Sequence, residues 1–255
     1  MSTADGARDD SIAFRAALDD VAEVDGWLRP EQARRLWEAA RRVGPSGHIV
    51  EIGSYQGRST VVLARGAGHG VTVVAIDPHA GNDRGPNLWR GTSEQGEDDH
   101  RRFVENLSRA GVSDRVTHLR LRSEDALPHA PRQIDFLYVD GAHGYRHARA
   151  DIREWSERVT PAGRMLIHDA YLSVGVTAAI GRELLLGRRF RYVGRTRSLV
   201  EYERVDVRGR GYLVNVGRQL APLPWFLRNT VWRVLIMARL GRVARLLGYR
   251  GGGMC

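Results

Sequence analysis

Short apolar runs alternate with amphipathic stretches through the middle of the chain. Five runs are typical of buried strands: His48–Gly53, Val71–Asp77, Arg115–Leu121, Ile134–Asp140 and Arg164–Ala170. Helical periodicity separates them in Ser59–Ala67, His100–Ala110, Tyr145–Val159 and Val174–Leu186. Apolar strands separated by helices indicate a parallel sheet with helices on both faces. The pattern therefore predicts an α/β, doubly wound fold.

The pattern changes towards both ends of the chain. Helical spacing in Ser11–Val24 and Glu31–Val43 precedes the first strand, and the later runs FRYVGR and SLVEYER are typical of a closing antiparallel pair. These additions predict a seven-stranded, mostly parallel sheet with helices before it. A chain of 255 residues can build one such core. We divide it into an N-terminal helical segment 1–46, an α/β domain 47–204 and a tail 205–255.

One connection between the predicted elements is unusually long. The segment His79–Asp99 is polar and rich in glycine and acids. Connections of this length inside a compact domain are commonly functional. We therefore expect a lid or a substrate loop, with Arg84, Asn87, Trp89 and Arg90 as candidate substrate contacts.

The composition narrows the class of protein. The single cysteine, Cys255, excludes a disulfide framework and a cysteine-ligated metal site within one chain. The first residues, MSTADGARDD, lack the apolar core of a signal peptide. No apolar run approaches the ~20 residues that span a bilayer. We expect a cytoplasmic protein.

The positive charge of the chain is concentrated in the tail. From residue 205 onward there is a single acid, Asp206, against nine arginines: Arg208, Arg210, Arg218, Arg228, Arg233, Arg239, Arg242, Arg245 and Arg250. Tryptophans and aliphatic residues alternate with these arginines at helical spacing, which predicts a basic amphipathic helix. Such a helix could lie on the anionic inner face of a membrane, or pack on its own domain or in a homodimer. Its aromatics form no stacking platform, so we expect no nucleic acid.

The stretch VEIGSYQGRST, which joins the first predicted strand to a helix, has the features of a ligand cradle. Gly53 and Gly57 allow a sharp backbone bend, and Ser59 lies near the helix start. Asp77 ends the next strand, where an acid can accept the hydroxyls of a ribose. The spacing is G-x-x-x-G, whereas a dinucleotide-binding oxidoreductase would carry G-x-G-x-x-G.

These residues resemble a known family. Glu51-x-Gly53-x-Tyr55-x-Gly57 followed by Ser59, with Asp77 ending the next strand, is similar to the nucleoside pocket of class I S-adenosylmethionine-dependent methyltransferases. Tyr55, which stands in place of a middle glycine, is similar to the residue in the catechol O-methyltransferase branch of this family. The run FLYVDGAHGYRHARADIREWSERVTPAGRMLIHDA resembles a bacterial group of small O-methyltransferases, several of which act on sugars and natural products. The resemblance implies a Rossmann-like methyltransferase fold with S-adenosylmethionine as cofactor.

The resemblance also implies roles for individual residues. Gly53, Tyr55 and Ser59 would contact the methionine end and the ribose, and Asp77 would bind the ribose hydroxyls. Ser123 and Glu124 match the positions that border the adenine. Asp140 would face the methionine amino group or a divalent metal, and Glu51 would either support that amino group or brace the turn.

One further residue, His143, is a candidate for the chemistry. A hydroxyl must lose its proton as it attacks a methyl group, and a base near neutral pKa assists. His143 lies three residues after Asp140, at the offset where catechol-type relatives carry a lysine base. A histidine packed near the adenine, or exposed on the loop, is the alternative.

A metal could acidify the hydroxyl instead. Asp140, His168 and Asp169 would converge if the fourth and fifth strands are neighbours, and Mg²⁺ or another divalent cation is the candidate. His168 could also be a second base or a hydrogen-bond partner of Asp140. Relatives with a metal usually carry two acids, or an acid and an amide, at this strand end, where this chain has His168, Asp169 and an alanine.

The sequence therefore predicts an S-adenosylmethionine-dependent O-methyltransferase that acts on a hydroxylated small molecule, with a sugar of a glycolipid or a secondary metabolite as the leading acceptor. The alternatives are an NAD(P)-dependent oxidoreductase, and a non-catalytic scaffold that binds the cofactor or a membrane surface.

Overall fold

A computed structural model of the protein describes residues 3–81, 91–246 and 248, without the side chains of residues 3–8 and 244. The strands are β1 His48–Ile52, β2 Thr72–Ile76, β3 Val116–Leu119, β4 Ile134–Val139, β5 Val159–Ile167, β6 Phe190–Thr196 and β7 Leu199–Arg204. The α-helices in the described residues are α1 Thr3–Asp20, α2 Pro30–Arg41, α3 Arg58–Gly66, α4 Ser93–Arg109, α5 Ser123–Ala126, α6 Tyr145–Ser156, α7 Val174–Glu183, α8 Gly209–Leu220, α9 Leu223–Met237 and α10 Gly241–Leu246.

The strands form one seven-stranded sheet in the order β3-β2-β1-β4-β5-β7-β6. Strand β7 runs antiparallel to its neighbours β5 and β6, and the other neighbouring strands are parallel to each other. The register aligns the last residues of four parallel strands, because Ile52 pairs with Ile76 and Val139, and Val139 pairs with Ile167. The residues that follow these strands therefore emerge side by side at one edge of the sheet.

Successive side chains along each strand point into two different apolar cores, as expected for a sheet that is covered on both faces. Ile49 and Phe136 face a core that α1, α2, α3 and α4 cover. Val50 and Leu137 face a second core that α6 and α7 cover. Helices α1 and α2 share a core with the sheet, so the N-terminal segment supports the α/β domain directly.

The main departure from the predicted elements is the start of α4. The sequence predicts a helix from His100, whereas α4 begins at Ser93 and includes the polar run SEQGEDD. Thr92 caps it: its side chain accepts the backbone N–H of Gln95, and the Gln95 side chain accepts the N–H of Thr92. Capping and exposure stabilise this polar turn without any apolar periodicity. The last third of the predicted loop is therefore helical. Arg84, Asn87, Trp89 and Arg90 lie outside the described residues.

The tail forms helices α8, α9 and α10, and α8 covers the edge of the sheet. Asn215 on α8 is buried; its side-chain oxygen accepts the N–H of Tyr192 at 2.7 Å, and its amide nitrogen donates to the carbonyl of Phe190 at 3.1 Å. Both partners belong to the edge strand β6, whose outer backbone groups would otherwise lack partners. None of the described helices has the length and apolar composition needed to cross a bilayer.

We expect Asn215→Ala to lower the free energy of unfolding by about 1–3 kcal/mol, because it leaves two buried backbone groups of β6 unsatisfied. Denaturant titration followed by circular dichroism measures the change. Gln133→Ala, which truncates an exposed amide, serves as control and should stay within about 0.5 kcal/mol of the parent chain. An equal loss in both variants would contradict the edge-covering role of Asn215.

Candidate active site

The residues that directly follow four parallel strands line one cavity of about 740 Å³. They are Gly53 after β1, Asp77 after β2, Asp140 after β4, and His168 with Asp169 after β5. The volume is in the range of small-molecule sites, and the location, at the carboxyl ends of parallel strands, is where such folds bind ligands.

The bend after β1 depends on glycine at position 53. Gly53 has φ +87°, a conformation that disfavours a side chain. A Cβ at this position would lie 2.2 Å from the carbonyl oxygen of Asp140. The bend therefore contacts the backbone after β4 directly, and no side chain separates the two.

Asp77 is held beside this bend by backbone amides. Its Oδ2 accepts the N–H of Tyr55, and its Oδ1 accepts the N–H of His79, both at 2.8 Å. The side chain is 19% exposed and faces the cavity. Each carboxylate oxygen keeps a second lone pair, so Asp77 can still accept hydrogen bonds from a ligand.

The ring of His79 is hydrogen-bonded to the backbone of the same bend. Its Nε2 lies 2.8 Å from the carbonyl oxygen of Tyr55, so Nε2 carries the proton. The ring packs against His100 and His118, with centroids 5.2 and 5.0 Å away. Burial, together with the neighbouring histidines, lowers the pKa of His118 to about 4, so this cluster contains a neutral imidazole at physiological pH.

Glu51 lies beneath the bend and does not line the cavity. It is fully buried in β1 and accepts hydrogen bonds from the hydroxyls of Ser59, at 2.5 Å, and Thr60. Burial is the main cause that raises its pKa, to about 8, and the charges of Asp140 and Asp77 add to the effect. Of the two roles considered for Glu51, the geometry is that of a brace for the turn.

Two other predicted contacts are placed differently from the expectation. Gly57 is the N-cap of α3 and does not line the cavity; a Cβ there would lie 3.2 Å from the ring of Phe103. The glycine therefore serves packing between α3 and α4. Ser59 does line the cavity, but its hydroxyl donates to Glu51.

Ser123 and Glu124 line the opposite end of the cavity, at the start of α5. Ser123 donates to Asp151 Oδ1 at 2.5 Å. Asp151 also lines the cavity, and burial raises its pKa to about 6. The sequence reasoning missed Asp151, although it follows His147, another lining residue, by one helical turn on α6.

Asp140, His143, His168 and Asp169 form a cluster where β4 and β5 end. Asp169 Oδ2 lies 2.5 Å from His143 Nε2, and Asp169 Oδ1 lies 3.5 Å from His168 Nδ1. His168 Nδ1 is 3.1 Å from Asp140 Oδ1, as in one of the alternatives the sequence left open. Tyr138 donates to the other oxygen of Asp140 at 2.8 Å. Asp169 thus contacts both histidines.

The hydrogen bonds assign the tautomer of His143. A carboxylate only accepts, so the Nε2 that faces Asp169 carries the proton. His143 Nδ1 is buried without a hydrogen-bond partner and belongs to a side chain that lines the cavity. Asp169 itself has φ +54°, a conformation uncommon outside glycine that clusters at functional sites. The cluster therefore presents one free imidazole nitrogen near the cavity.

The charges of the cluster reinforce one another. Burial alone would lower the pKa of His143, but its hydrogen bond to Asp169 and the charges of Asp169 and Asp140 outweigh burial and raise the pKa above its ordinary value. The same kind of balance raises the pKa of His168 to about 10. Burial would raise the pKa of Asp169, but both histidines hold it well below its usual range.

Gln32 connects this cluster to the N-terminal segment. Its Nε2 lies 3.1 Å from His168 Nε2 and 3.2 Å from Ser198 Oγ, and its oxygen accepts the N–H of Arg29. This amide orientation requires an unprotonated His168 Nε2, whereas the two carboxylates favour a protonated ring. The carboxylates dominate, because rotating the Gln32 amide lets its oxygen accept from a protonated ring and costs only the part-buried hydrogen bond from the N–H of Arg29.

Gln32 is a second residue that the sequence reasoning missed. It lies one turn before Leu36 on the buried face of α2, so a glutamine on an apolar face was the available signal. Trp27, Arg29 and Arg197 also line the cavity from outside the predicted motifs. Nothing in the sequence places these distant segments beside the ends of β4 and β5.

The residues able to hold a metal differ from those expected. Among the described residues, Asp140, His143 and Asp169 offer ligand atoms within 4.8 Å of one another. His143 thus replaces His168, whose two nitrogens already face Asp140 and Gln32. Two carboxylates and an imidazole suit a transition-metal ion better than Mg²⁺, which prefers oxygen ligands. The same atoms of Asp169 and His143 bond each other here, so these side chains fit either a metal or a hydrogen-bonded pair.

Comparisons with known proteins agree with this architecture. Residues 50–170 match a family model described as a methyltransferase domain. An O-methyltransferase from Bacillus cereus, solved with S-adenosylhomocysteine (SAH), is similar at 18% identity and a TM-score of 0.53, over 76% of this chain and 90% of that chain. The O-methyltransferase TomG from Streptomyces achromogenes, involved in tomaymycin synthesis and solved with S-adenosylmethionine (SAM), is 20% identical with a TM-score of 0.51, over 75% of this chain and 87% of that chain.

A third solved structure extends the similarity to a fungal protein. The SAH-bound methyltransferase PaMTH1 from Podospora anserina is 15% identical with a TM-score of 0.55, over 81% of this chain and 97% of that chain. Likeness at these identities concerns the fold, and it confirms the predicted doubly wound, mostly parallel sheet.

We expect Gly53→Ala to lower the free energy of unfolding by more than about 2 kcal/mol, because left-handed backbone and overlap with Asp140 both oppose a methyl group. Thermal and denaturant unfolding measure the effect. Gly68→Ala is the matched control, since a Cβ there meets no atom within 4 Å. Equal stability of the two variants would contradict the close approach of the bend to Asp140.

We expect Asp169→Asn to lower the pKa of His143, because burial then opposes the charged ring without the carboxylate that outweighs it. Imidazole resonances followed by NMR across a pH titration report this pKa. Asp125→Asn, on the exposed side of α5, should leave it unchanged. An unaltered or raised pKa of His143 in Asp169→Asn would show that the pair is not formed in solution.

Proposed function

We propose that the chain is a class I S-adenosylmethionine-dependent methyltransferase that transfers the methyl group of SAM to a hydroxyl of a small molecule. One observation carries the proposal: a single cavity is lined both by Gly53 and Asp77, at the bend after β1, and by the side chain of His143, whose Nδ1 has no hydrogen-bond partner. The first supplies groups suited to a nucleoside, and the second supplies a base. O-methyltransferases among the similar structures support the choice of a hydroxyl.

In the proposed arrangement the cofactor lies along the strand ends. The free lone pairs of Asp77 would accept the ribose hydroxyls, and the bare backbone of Gly53 would leave room for the methionine end. Asp140 would face the amino group of that end. Ser123 and Asp151 would border the adenine, where Asp151 with a pKa of about 6 can exist in either protonation state at physiological pH.

The acceptor hydroxyl would be activated by His143. The hydroxyl oxygen attacks the methyl carbon, the carbon–sulfur bond breaks, and its electron pair stays on the sulfur of the departing SAH. The hydroxyl proton passes to His143 Nδ1, while Nε2–H remains bonded to Asp169. Asp169 orients the ring and stabilises the imidazolium, as carboxylates do for catalytic histidines. Positioning in the cavity supplies much of the remaining acceleration, up to roughly 7–11 kcal/mol in favourable cases.

A divalent cation held by Asp140, His143 and Asp169 is the alternative arrangement at this site. A bound cation would acidify the acceptor hydroxyl. In that arrangement His143 and Asp169 would turn from each other to face the ion, and His143 would no longer act as the base. We favour the metal-free pair, because its hydrogen bond and free nitrogen already provide a base.

The acceptor that we favour is a sugar hydroxyl of a glycolipid or a secondary metabolite. The residues that line the cavity include Arg29, Gln32, Arg197 and Ser198. These donors and acceptors suit a hydroxylated molecule better than an apolar ring. Trp27 adds one aromatic surface, and its ring lies 5.7 Å from that of Tyr55.

We expect Asp77→Ala to weaken SAM binding by roughly a hundredfold, because two charge-assisted hydrogen bonds to the ribose are lost. Isothermal titration with SAM measures the dissociation constant, and Asp125→Ala is the exposed control. Titrations with and without Mg²⁺ or Mn²⁺ test the cation at the same time. Binding of NAD instead of SAM would favour the oxidoreductase alternative, and unchanged affinity in Asp77→Ala would refute the placement of the ribose.

A further inference from the structure

Helix α9 exposes an apolar stripe where a surface helix normally exposes polar residues. Leu227, Val231 and Val234 are 59%, 49% and 59% exposed and lie within one face of the helix. Pro224 and Ala238 are exposed on the same face. The outer face of a helix that packs on a globular domain is expected to be polar. Within the described part of the chain, no packing contact accounts for this exposed stripe.

The stripe continues beyond the end of α9. Met237 and Leu246 are 84% and 87% exposed, and Leu240 and Val243 between them are also exposed. More than half of the exposed large apolar side chains in the described residues belong to helices α8, α9 and α10. Apolar exposure of this extent, concentrated in one segment, is typical of an interaction surface.

The orientation of α9 is fixed by its inner face. Trp225 and Phe226 pack against the apolar core, and Arg195 lies over the ring of Trp225 at 4.8 Å. Arg233 donates to the carbonyl oxygen of Leu172 at 2.6 Å. The apolar stripe faces outward because the opposite side of the helix is already occupied by the domain.

The charge around the stripe is uniformly positive. Arg228, Arg239, Arg242 and Arg245 are exposed beside it. The only acid from residue 205 onward is Asp206, which pairs with Arg208 at the far end of the segment. A protein partner would need an apolar patch ringed by acids, whereas a bilayer with anionic lipids presents both features to any such helix.

We propose that helices α9 and α10 dock on the surface of an anionic membrane, with the apolar stripe inserted among the acyl chains and the arginines at the lipid phosphates. This docking surface comprises Leu227, Val231, Val234, Met237, Leu240, Val243 and Leu246 with Arg228, Arg239, Arg242 and Arg245. The proposal concerns where the protein is located and does not depend on the methyl-transfer chemistry.

The docking surface is connected to the candidate active site. Leu172, whose carbonyl accepts from Arg233, lines the cavity and lies three residues after Asp169. In the same loop, the Tyr171 hydroxyl donates to the carbonyl of Gln219 on α8 at 2.7 Å. The tail is therefore hydrogen-bonded to the loop that carries Asp169.

Vesicle flotation of the full chain tests the proposal. We expect binding to vesicles that contain phosphatidylglycerol, and little binding to vesicles of phosphatidylcholine alone. The double variant Leu227→Asp/Val234→Asp should bind at least about tenfold more weakly, because two inserted side chains become charged. The double variant Ile12→Asp/Val104→Asp, which adds the same charge at exposed apolar sites on α1 and α4, is the matched control and should bind like the parent chain.

Two further measurements make the test decisive. Melting temperatures and SAM titrations should be equal in the stripe variant and the control, so that a loss of vesicle binding is separated from misfolding and from failure of the proposed function. Light scattering reports the oligomeric state. The proposal is overturned if the parent chain does not float with the anionic vesicles, if the stripe variant floats equally well, or if the stripe variant instead dissociates a homodimer.

Discussion

The architecture of the cavity depends on how two carboxylates hold the bend between β1 and α3. Glu51 braces the bend from inside the core through Ser59 and Thr60, and Asp77 holds it from the side through the amide of Tyr55. Between them, Gly53 brings bare backbone against the residue that follows β4. Glu51 is buried in β1, whereas Asp77 faces the cavity while it holds the bend, so the bend remains open towards the cavity.

A second constraint acts at the ends of β4 and β5, where one acid serves two histidines. Asp169 fixes the ring of His143 and also neighbours His168, whose other contacts reach Asp140 and, through Gln32, the N-terminal segment. The segment before β1 is thus part of the site's support. The tail contributes from the opposite side, since Arg233 bonds the loop after Asp169. Both appendages of the α/β domain meet the strand ends where the chemistry is proposed.

Much of the fold and half of the site follow from local sequence. Strand periodicity and the glycines of the first turn predict the sheet, the bend and the place of Asp77, because these depend on neighbours in the chain. The predicted start of α4 was wrong, because capping by Thr92 determines where this helix begins and apolar periodicity does not detect capping. Asp151 and Gln32 were missed because their roles come from tertiary contacts between distant segments. The neighbour of Gly57, Phe103 of α4, is likewise a tertiary contact that the local sequence does not indicate.

The central claim is that Asp77 and the bend at Gly53 bind the nucleoside of SAM in the cavity that the side chain of His143 also lines. A crystal structure of the chain with SAH tests this directly. The account predicts both ribose hydroxyls within hydrogen-bond distance of the Asp77 carboxylate, and the sulfur on the same side of the cavity as His143 Nδ1. A ribose bound elsewhere, or a sulfur separated from His143 by intervening side chains, would contradict it.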